Sequence, residues 1–221
     1  MAERKLDRPR QVALQAAPAE VRRALRALWD IDLAFADVVS TTLTVQLGAI
    51  RLAWWRERLE ELDKGTEPPP ERRLQAVAAD LLPEGVSGTE LAQLEYCWLA
   101  LLNPFPWDDL VADAIALRGA ILFGIGARLL GRAGAEGEPF GVVWSLADVA
   151  RHCSDPPSRA FLIERAKSAI AKLPQRRIPI ELQPLTMIVA RRAYDLLHGD
   201  RGGWHRLLTW LRYSISGRMP Q

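Results

Sequence analysis

The chain has 221 residues, of which 49% are apolar and 25% are charged, so we expect a folded protein with a substantial core rather than a disordered one. A chain of this length is typical of one domain, and it can bury enough surface to need neither a disulfide nor a structural metal for stability. Its 29 basic and 27 acidic residues nearly balance, which indicates no particular class of partner for the chain as a whole.

The charge is unevenly distributed along the chain. Residues 151–221 contain 13 Lys and Arg but only 5 Asp and Glu, whereas residues 1–150 are acidic overall. A basic C-terminal third can meet an anionic lipid surface or a diphosphate, or it can form a solvated face. Both alternatives stay open at this stage, and we expect no nucleic-acid partner.

The sequence also bears on where the protein resides. Cys97 and Cys153 lie far apart and fit no zinc or redox spacing, which is typical of a reducing compartment. Residues 1–10 are charged and do not resemble a signal peptide. The most apolar stretch, residues 115–130, contains two arginines and is shorter than the roughly 20 residues that cross a bilayer. We therefore expect a cytoplasmic protein, either soluble or peripheral at the inner face of a membrane.

The periodic signal is helical throughout, because Ala, Leu and Arg dominate and β-branched alternation is almost absent. We expect an N-terminal arm over residues 1–17, one all-α domain over residues 18–221, and a glycine-rich turn at 131–138. The predicted helices cover residues 18–39, 44–62, 71–82, 87–102, 107–130, 140–152, 156–172, a segment that is entered between Pro179 and Pro184 and ends near His198, and 204–215.

Helix boundaries and the central helix carry the clearest local signals. Ser87 and Glu90 have the spacing of a capping box, which predicts a helix start at this point. The helix at 107–130 is apolar nearly all round, so it is predicted to be central and buried. Gly124 and Gly126 lie within that helix and follow no strand, which indicates close helix packing rather than a dinucleotide-binding loop.

Carboxylates are the candidate metal ligands in this sequence. Asp109 and Asp113 are spaced to meet on one helix face, where they could bind Mg²⁺ together. They also lie in the first turns of a helix, where acidic residues cap free backbone amides and complement the helix dipole, and we favour this capping role. The histidines, His152, His198 and His205, have no metal-ligand spacing, so no metal site is predicted from them.

Two aromatic and basic segments admit both a binding and a packing interpretation. Arg51 and Trp55 are i, i+4 partners that could form a cation–π contact, but we favour Trp55 as an anchor in the core. The terminal segment could lie in a membrane interface or dock on the helical bundle. The residues that would contact a membrane or partner there are Trp204, Arg206, Trp210 and Arg212.

Three segments, in order, resemble the squalene/phytoene synthases, the head-to-head isoprenoid synthases. The first runs from Ala27-Leu28-Trp29 to Asp37 and continues at 48–56, where Arg-Leu-Ala-Trp-Trp-Arg is similar to a family motif. The second is Arg118-Gly119-Ala-Ile-Leu-Phe and its continuation to Gly131, and the third is the segment 141–151. The resemblance covers roughly residues 18–200. It implies an all-α, single-domain helical bundle of the isoprenoid synthase type, shortened at its C-terminus, with a cavity between helices.

The resemblance also implies where the chemistry of an active member would lie. Such members carry two aspartate-rich motifs, since a diphosphate leaving group needs Mg²⁺ ions held by carboxylates. The first motif falls on Ala36, Asp37 and Ser40, of which Asp37 alone is acidic, and the second falls on His152 and Pro156. The trinuclear magnesium cluster cannot be built from these positions as the family builds it.

The remaining family positions fall on Asp148, Arg151 and Gly119. If the protein is active, the resemblance implies Asp37, Asp148 and Arg151 at the diphosphate end, Arg151 and Gly119 in contact with substrate, and Mg²⁺ as cofactor. If it is not, no cofactor is expected, and Arg151 is as well explained by an ion pair with Asp148 or Asp155.

These observations lead to three functional hypotheses. The first is a synthase-like protein without synthase activity that binds an isoprenoid, a lipid or a protein partner, because the chain looks closer to a related group that lacks the aspartates and assists assembly of respiratory complex I at a membrane. The second is an active Mg²⁺-dependent prenyltransferase that condenses two prenyl diphosphates. The third is a helical scaffold whose cavity has filled with side chains.

Overall fold

The computed structural model describes residues 6–175, 177–198 and 219, and within these residues every regular element is helical and no strand is present. The all-α class predicted from the sequence is therefore confirmed. The helices are α1 (Arg8–Ala16), α2 (Arg22–Thr41), α3 (Val45–Leu62), α4 (Arg72–Ala76), α5 (Gly88–Ala92), α6 (Leu94–Leu99), α7 (Asp109–Leu129), α8 (Gly134–His152), α9 (Pro156–Ala171) and α10 (Gln183–His198).

Several helices begin where a polar side chain caps the first backbone amides. The Thr44 hydroxyl accepts a bond from the Leu47 amide at the start of α3, at 3.3 Å. At the start of α7, Asp108 accepts from the Val111 amide at 3.1 Å. These caps satisfy donors that the helix itself leaves free, which explains why helix starts were predicted within a few residues.

The predicted helices at 71–82 and 87–102 are interrupted. After α4 the chain forms one π-helical turn and a short 3₁₀ turn, and Gly85 then takes a positive φ of 77°. Ser87 caps α5 through the Glu90 amide at 3.0 Å, as the capping-box spacing predicts. The Glu90 carboxylate binds Arg128 of α7, so the second side chain of the predicted capping box makes a tertiary contact instead.

Two segments differ from the sequence-based prediction. The expected N-terminal arm contains α1, which starts with an Asp7 side chain that accepts from the Arg10 amide at 3.2 Å. The expected turn at 131–138 is mostly helical, because α8 begins at Gly134. The glycines there allow helices to approach closely, and a turn is formed only around Gly131, whose φ is 74°.

Helices α7 and α8 pack backbone to backbone at the centre of the protein. A Cβ atom built on Gly119 would lie 1.9 Å from the carbonyl oxygen of Gly141, so the two helices touch where neither has a side chain. By length and composition α7 could cross a membrane, but 67% of its most apolar window is buried inside the protein, as in the core helix of a soluble protein. The sequence-based prediction of a central buried helix is confirmed.

An aromatic cluster joins α2 to this helix pair. The ring centres of Trp29, Phe123 and Trp144 lie 5.4–5.9 Å from one another, and all three side chains are almost fully buried. Two of the three ring pairs meet edge to face, which the electrostatics of aromatic rings favours. This cluster fixes the positions of the helices that line the cavity described below.

Asp63 ties the end of α3 to the start of α5. Its carboxylate accepts bonds from the Gly88 amide at 2.6 Å, the Thr89 amide at 2.8 Å and the Thr89 hydroxyl at 2.7 Å. Burial would raise the pKa of Asp63, but the bonds from Thr89 and Gly88 outweigh it and lower the pKa. The ionised form is therefore favoured in the folded state.

We expect Asp63→Ala to lower the free energy of unfolding by about 1 kcal/mol at neutral pH, the usual cost of losing a helix cap. Because the folded-state pKa lies below the unfolded-state value, this contribution is complete above the unfolded-state pKa and disappears as the pH falls through the folded-state pKa. Urea titrations of both proteins between neutral pH and the acid range measure the difference. A difference that stays constant into the acid range would contradict this role.

Candidate ligand-binding cavity

A cavity of about 750 Å³ lies between α2, α7 and α8, and the loop after α6 and the first turn of α1 also contribute to it. Its lining combines apolar and aromatic side chains with charged ones. The exposed side chains of Phe105, Arg151 and His152 belong to its lining, so the cavity opens to solvent. The apolar and aromatic lining residues include Leu33, Ala36, Val39, Trp98, Leu101 and Phe105.

The charged part of the lining is built on a buried ion pair between α2 and α7. Arg118 donates from Nε and Nη2 to the two carboxylate oxygens of Asp32, at 2.7 and 2.6 Å. The Trp98 indole also donates to Asp32, at 3.1 Å, and Arg118 Nη1 donates to the Ser145 hydroxyl at 3.2 Å. Asp32 is 0% exposed and Arg118 is 2% exposed, so both charges are removed from water and satisfied by each other.

Aromatic faces complete the surroundings of Arg118. Its guanidinium carbon lies 4.5 Å from the ring centre of Trp98 and 4.7 Å from that of Trp144, within cation–π range. Burial would lower the pKa of Arg118, but the adjacent Asp32 carboxylate outweighs burial and raises it. Arg118 therefore stays charged inside the protein.

A second buried arginine reaches the same place from α1. Arg10 is 6% exposed, and its guanidinium carbon lies 4.9 Å from the ring centre of Trp144 and 5.4 Å from that of Trp29. Its Nη2 atom lies 3.7 Å from Asp148 and 3.8 Å from Asp32, which is beyond hydrogen-bond length. The site thus contains two buried arginines, and among the described contacts Arg118 has hydrogen-bond acceptors for its side-chain nitrogens whereas Arg10 does not.

Asp148 on α8 lies next to both arginines. Its carboxylate lies 3.6 Å from Arg118 and 3.7 Å from Arg10. Burial would raise the pKa of Asp148, but the positive charges of Arg10, Arg118, His152 and Arg192 lower it. Asp148 is therefore an anion bound by arginines, rather than a general acid or a free metal ligand.

The structure separates the residues that the family resemblance grouped together. Asp148 and Arg151 both line the cavity. Asp37 binds Arg73 of α4, with 2.7 Å between its carboxylate and Nη2, and it is not among the residues that line the cavity. Gly119 is covered by the backbone of Gly141, so its position is explained by helix packing.

Arg151 is exposed at the opening of the cavity. Among the described residues, no ion pair joins it to Asp148 or Asp155. Asp155 instead caps α9, where it accepts from the amide and the hydroxyl of Ser158 at 2.9 and 2.6 Å. The cation of Arg151 is thus available to a molecule in the cavity.

Asp109 and Asp113 do not form a metal site in the described structure. Both carboxylates bind Arg165 of α9, and the bond from Nη1 to Asp109 is 2.7 Å long. They therefore cross-link α7 and α9, while capping is carried out by the neighbouring Asp108. The sequence analysis favoured capping for Asp109 and Asp113, but their side chains bind Arg165 instead, a partner more than 50 residues away that no local spacing reveals.

The structure supports the packing interpretation of Arg51 and Trp55. Trp55 is 8% exposed and lies against Phe35, with 6.3 Å between the ring centres. Arg51 donates to the hydroxyls of Thr41 and Thr42 at 3.1 Å each. Trp55 is thus the core anchor that the sequence analysis favoured.

The cavity offers few ligands for a metal ion. Among the residues that the structure describes, no group of three or more His, Cys, Asp and Glu side chains is arranged to hold one. The described carboxylates that line the cavity are Asp7 and Asp148, and Asp148 is already held by arginines. Ala36, Ser40 and His152 occupy the aligned motif positions and also line the cavity. This donor set does not fit a cluster of Mg²⁺ ions.

The two cysteines are free and buried. Burial raises the pKa of the Cys97 thiol to about 12, although the Arg118 charge opposes this effect. A thiol that stays protonated at neutral pH is a poor nucleophile. Cys97 is therefore a packing residue beside the charged site.

Arg10, Asp32 and Arg118 are the site residues that sequence reasoning missed. An arginine inside the apolar stretch 115–130 is the usual signal of a buried, paired charge. Asp7 followed by Pro9 is typical of a helix start and could have revealed α1. The terminal residues Trp204, Arg206, Trp210 and Arg212, for which a membrane or partner role was predicted, lie outside the described residues.

Comparisons with known protein-family models, with curated proteins and with solved structures find no match to this chain.

Proposed function

We propose that this protein has a fold of the isoprenoid synthase type and binds an isoprenoid or another lipid in its cavity without carrying out the synthase reaction. The observation that carries the proposal is the amphipathic cavity, whose lining combines apolar and aromatic side chains with arginines. An apolar chain with a polar end matches that combination.

The dimensions and the location of the cavity support a small-molecule ligand. Its volume of about 750 Å³ lies within the range of roughly 300–1,000 Å³ that is typical of ligand pockets. It lies between the helices that carry the two aligned motif segments, since Ala36 on α2 and Asp148 on α8 both line it. The scaffold hypothesis requires a filled cavity and is less consistent with this space.

The chemistry of the lining supports binding rather than turnover. Ionisation of a prenyl diphosphate needs divalent metal ions to neutralise the leaving group. Asp148 lies 3.6–3.7 Å from two arginines and Asp37 binds Arg73, so each carboxylate that the prenyltransferase hypothesis would use already has a cationic neighbour. A role in assembling a membrane complex belongs to the same proposal, on the resemblance to the group that lacks the aspartates.

A fluorescence titration tests ligand binding. Trp98 and Trp107 line the cavity, so farnesol is expected to change the tryptophan emission of the purified protein in a saturable manner. Ala36→Phe places a ring in the cavity and is expected to abolish this change. Ala160→Phe, at an exposed position of α9, is the matched control and is expected to leave it intact. A folded protein that shows no saturable change, or an unaffected Ala36→Phe variant, would contradict the proposal.

A further inference from the structure

We propose that the charged part of the cavity lining is a metal-independent oxyanion site, in which Arg10 donates hydrogen bonds directly to the phosphate or carboxylate group of an amphipathic ligand. This inference rests on the proposed function, because it names the chemical class of the molecule that the cavity takes. It depends on the hydrogen-bonding state of Arg10, on the contrast with Arg118 and on the position of Arg151.

Arg10 has donors that nothing in the described structure satisfies. Its Nε atom is buried and has no hydrogen-bond partner. The carboxylate oxygens closest to its terminal nitrogens, on Asp7, Asp32 and Asp148, lie 3.7–4.0 Å away. A buried N–H group that lacks an acceptor is costly, since burial has removed its water without supplying a replacement. Arg10 lines the cavity, so a ligand oxygen placed there would accept from its terminal nitrogens, whose nearest carboxylates lie beyond hydrogen-bond length.

Arg118 lies in the same surroundings as Arg10, but its guanidinium has hydrogen-bond acceptors. Both guanidinium groups lie over the ring of Trp144, at 4.9 Å for Arg10 and 4.7 Å for Arg118. Arg118 binds both oxygens of Asp32 at hydrogen-bond distance, whereas Arg10 approaches the same carboxylate only to 3.8 Å. Asp32 is hydrogen-bonded to Arg118. Arg10 is therefore held in place by its aromatic contacts, and its N–H donors remain for another acceptor.

Arg151 provides a second positive charge at the opening of the cavity. It is exposed, and no ion pair to the carboxylates near it is present among the described residues. Arg192 of α10 interacts electrostatically with both Arg151 and Asp148. Arg10 and Arg151 both line the cavity, so an anion bound by Arg10 also experiences the charge of Arg151.

An oxyanion is the chemical group that fits these donors. The planar guanidinium presents parallel N–H groups that match the oxygens of a carboxylate or a phosphate. A neutral alcohol offers one uncharged acceptor oxygen, and an ammonium-type cation offers no acceptor at all. In this proposal the N–H groups of Arg10 and the charge of the exposed Arg151 bind the head group, and Mg²⁺ takes no part.

Three ligands with one hydrocarbon tail test the head-group preference. We expect farnesoic acid or farnesyl monophosphate to bind at least about tenfold more tightly than farnesol in a buffer that contains EDTA, since hydrogen bonds to charged groups are worth this much or more. Titration calorimetry measures the three affinities. The identity of the tighter ligand distinguishes a carboxylate from a phosphate. Equal affinities for farnesol and both anions would overturn the proposal, as would a preference that appears only when Mg²⁺ is added.

Arg10→Gln tests the residue itself. It is expected to remove the preference for the anionic ligands while farnesol still binds. Arg165→Gln, which removes an arginine outside the cavity lining, is the matched control and is expected to keep the preference. If Arg10→Gln does not fold, two other variants replace it in the same measurement. Arg10→Lys keeps a positive charge but loses the guanidinium fork, and Arg151→Gln changes an exposed residue. An anion preference that survives in the folded Arg10 variant would overturn the assignment.

Inorganic phosphate separates this proposal from the proposed function. Phosphate has no tail, so its binding in EDTA and the loss of that binding in the Arg10 variant would support the oxyanion site even if farnesol does not bind. Conversely, farnesol binding without any head-group preference would support the proposed function and overturn the oxyanion site.

Discussion

Asp32→Ala is expected to lower the free energy of unfolding by about 3–5 kcal/mol, the cost of removing one partner from a buried ion pair. Asp32 accepts bonds from Arg118 and from the Trp98 indole, and Arg118 is only 2% exposed. Without the carboxylate, Arg118 stays inside the protein and loses the partner that accepts two of its hydrogen bonds, while Asp148 remains 3.6 Å away. The loss also affects Arg10, since Asp32 is one of the carboxylates that face it.

Urea denaturation followed by circular dichroism measures this change. Asp113→Ala is a suitable control, because it also removes one carboxylate bound to an arginine, but the Asp113 side chain is 65% exposed. The control is expected to cost under about 1 kcal/mol, as exposed ion pairs usually do. Similar losses in the two variants would show that the buried ion pair has no special role in stability.

Gly141→Ala is expected to destabilise the protein by about 3 kcal/mol, at the upper end of the usual cost of overpacking. A Cβ atom at this position would lie 1.9 Å from the carbonyl oxygen of Gly119. A backbone atom cannot move aside as a flexible side chain can, so α7 and α8 would have to separate. The aromatic cluster and the cavity lie along this helix pair, so ligand binding should weaken as well.

Gly124→Ala on α7 is the matched control for this variant. A Cβ atom at Gly124 would meet the side chain of Glu138 at 3.3 Å, and that side chain can shift. Since alanine favours helix more than glycine, the expected result lies between no change and about 1 kcal/mol of stabilisation. Thermal unfolding of the two variants measures the contrast, and a loss of stability in Gly124→Ala equal to that in Gly141→Ala would contradict the close-packing argument.

Local signals predicted most of the helices, but they misplaced the start of α8, because glycine occurs both in turns and where helices pack closely. The starts of α3, α7 and α9 follow from Thr44, Asp108 and Asp155, whose side chains cap the first amides. The start of α8 was placed too late, because a glycine-rich segment is typical of a turn. Here Gly137 lies against the backbone of Phe123, a contact that depends on tertiary packing and cannot be deduced from one segment alone.

The candidate site was only partly predictable. The family resemblance drew attention to Asp148 and Arg151, which line the cavity, and to Asp37, which does not. The Asp32–Arg118 pair joins residues 86 positions apart, so no spacing rule could reveal it. Arg10 was missed because residues 1–17 carry little apolar periodicity, and its role depends on α1 packing over the aromatic cluster.

The most direct test of binding without turnover is to incubate the purified protein with farnesyl diphosphate and Mg²⁺, and to measure bound ligand, released diphosphate and extractable hydrocarbon in the same samples. The account predicts saturable binding, recovery of farnesyl diphosphate unchanged, and no more diphosphate or hydrocarbon than in a heat-denatured control. Release of diphosphate with formation of hydrocarbon, and its loss in Asp148→Ala, would contradict the account and make the protein a working prenyltransferase.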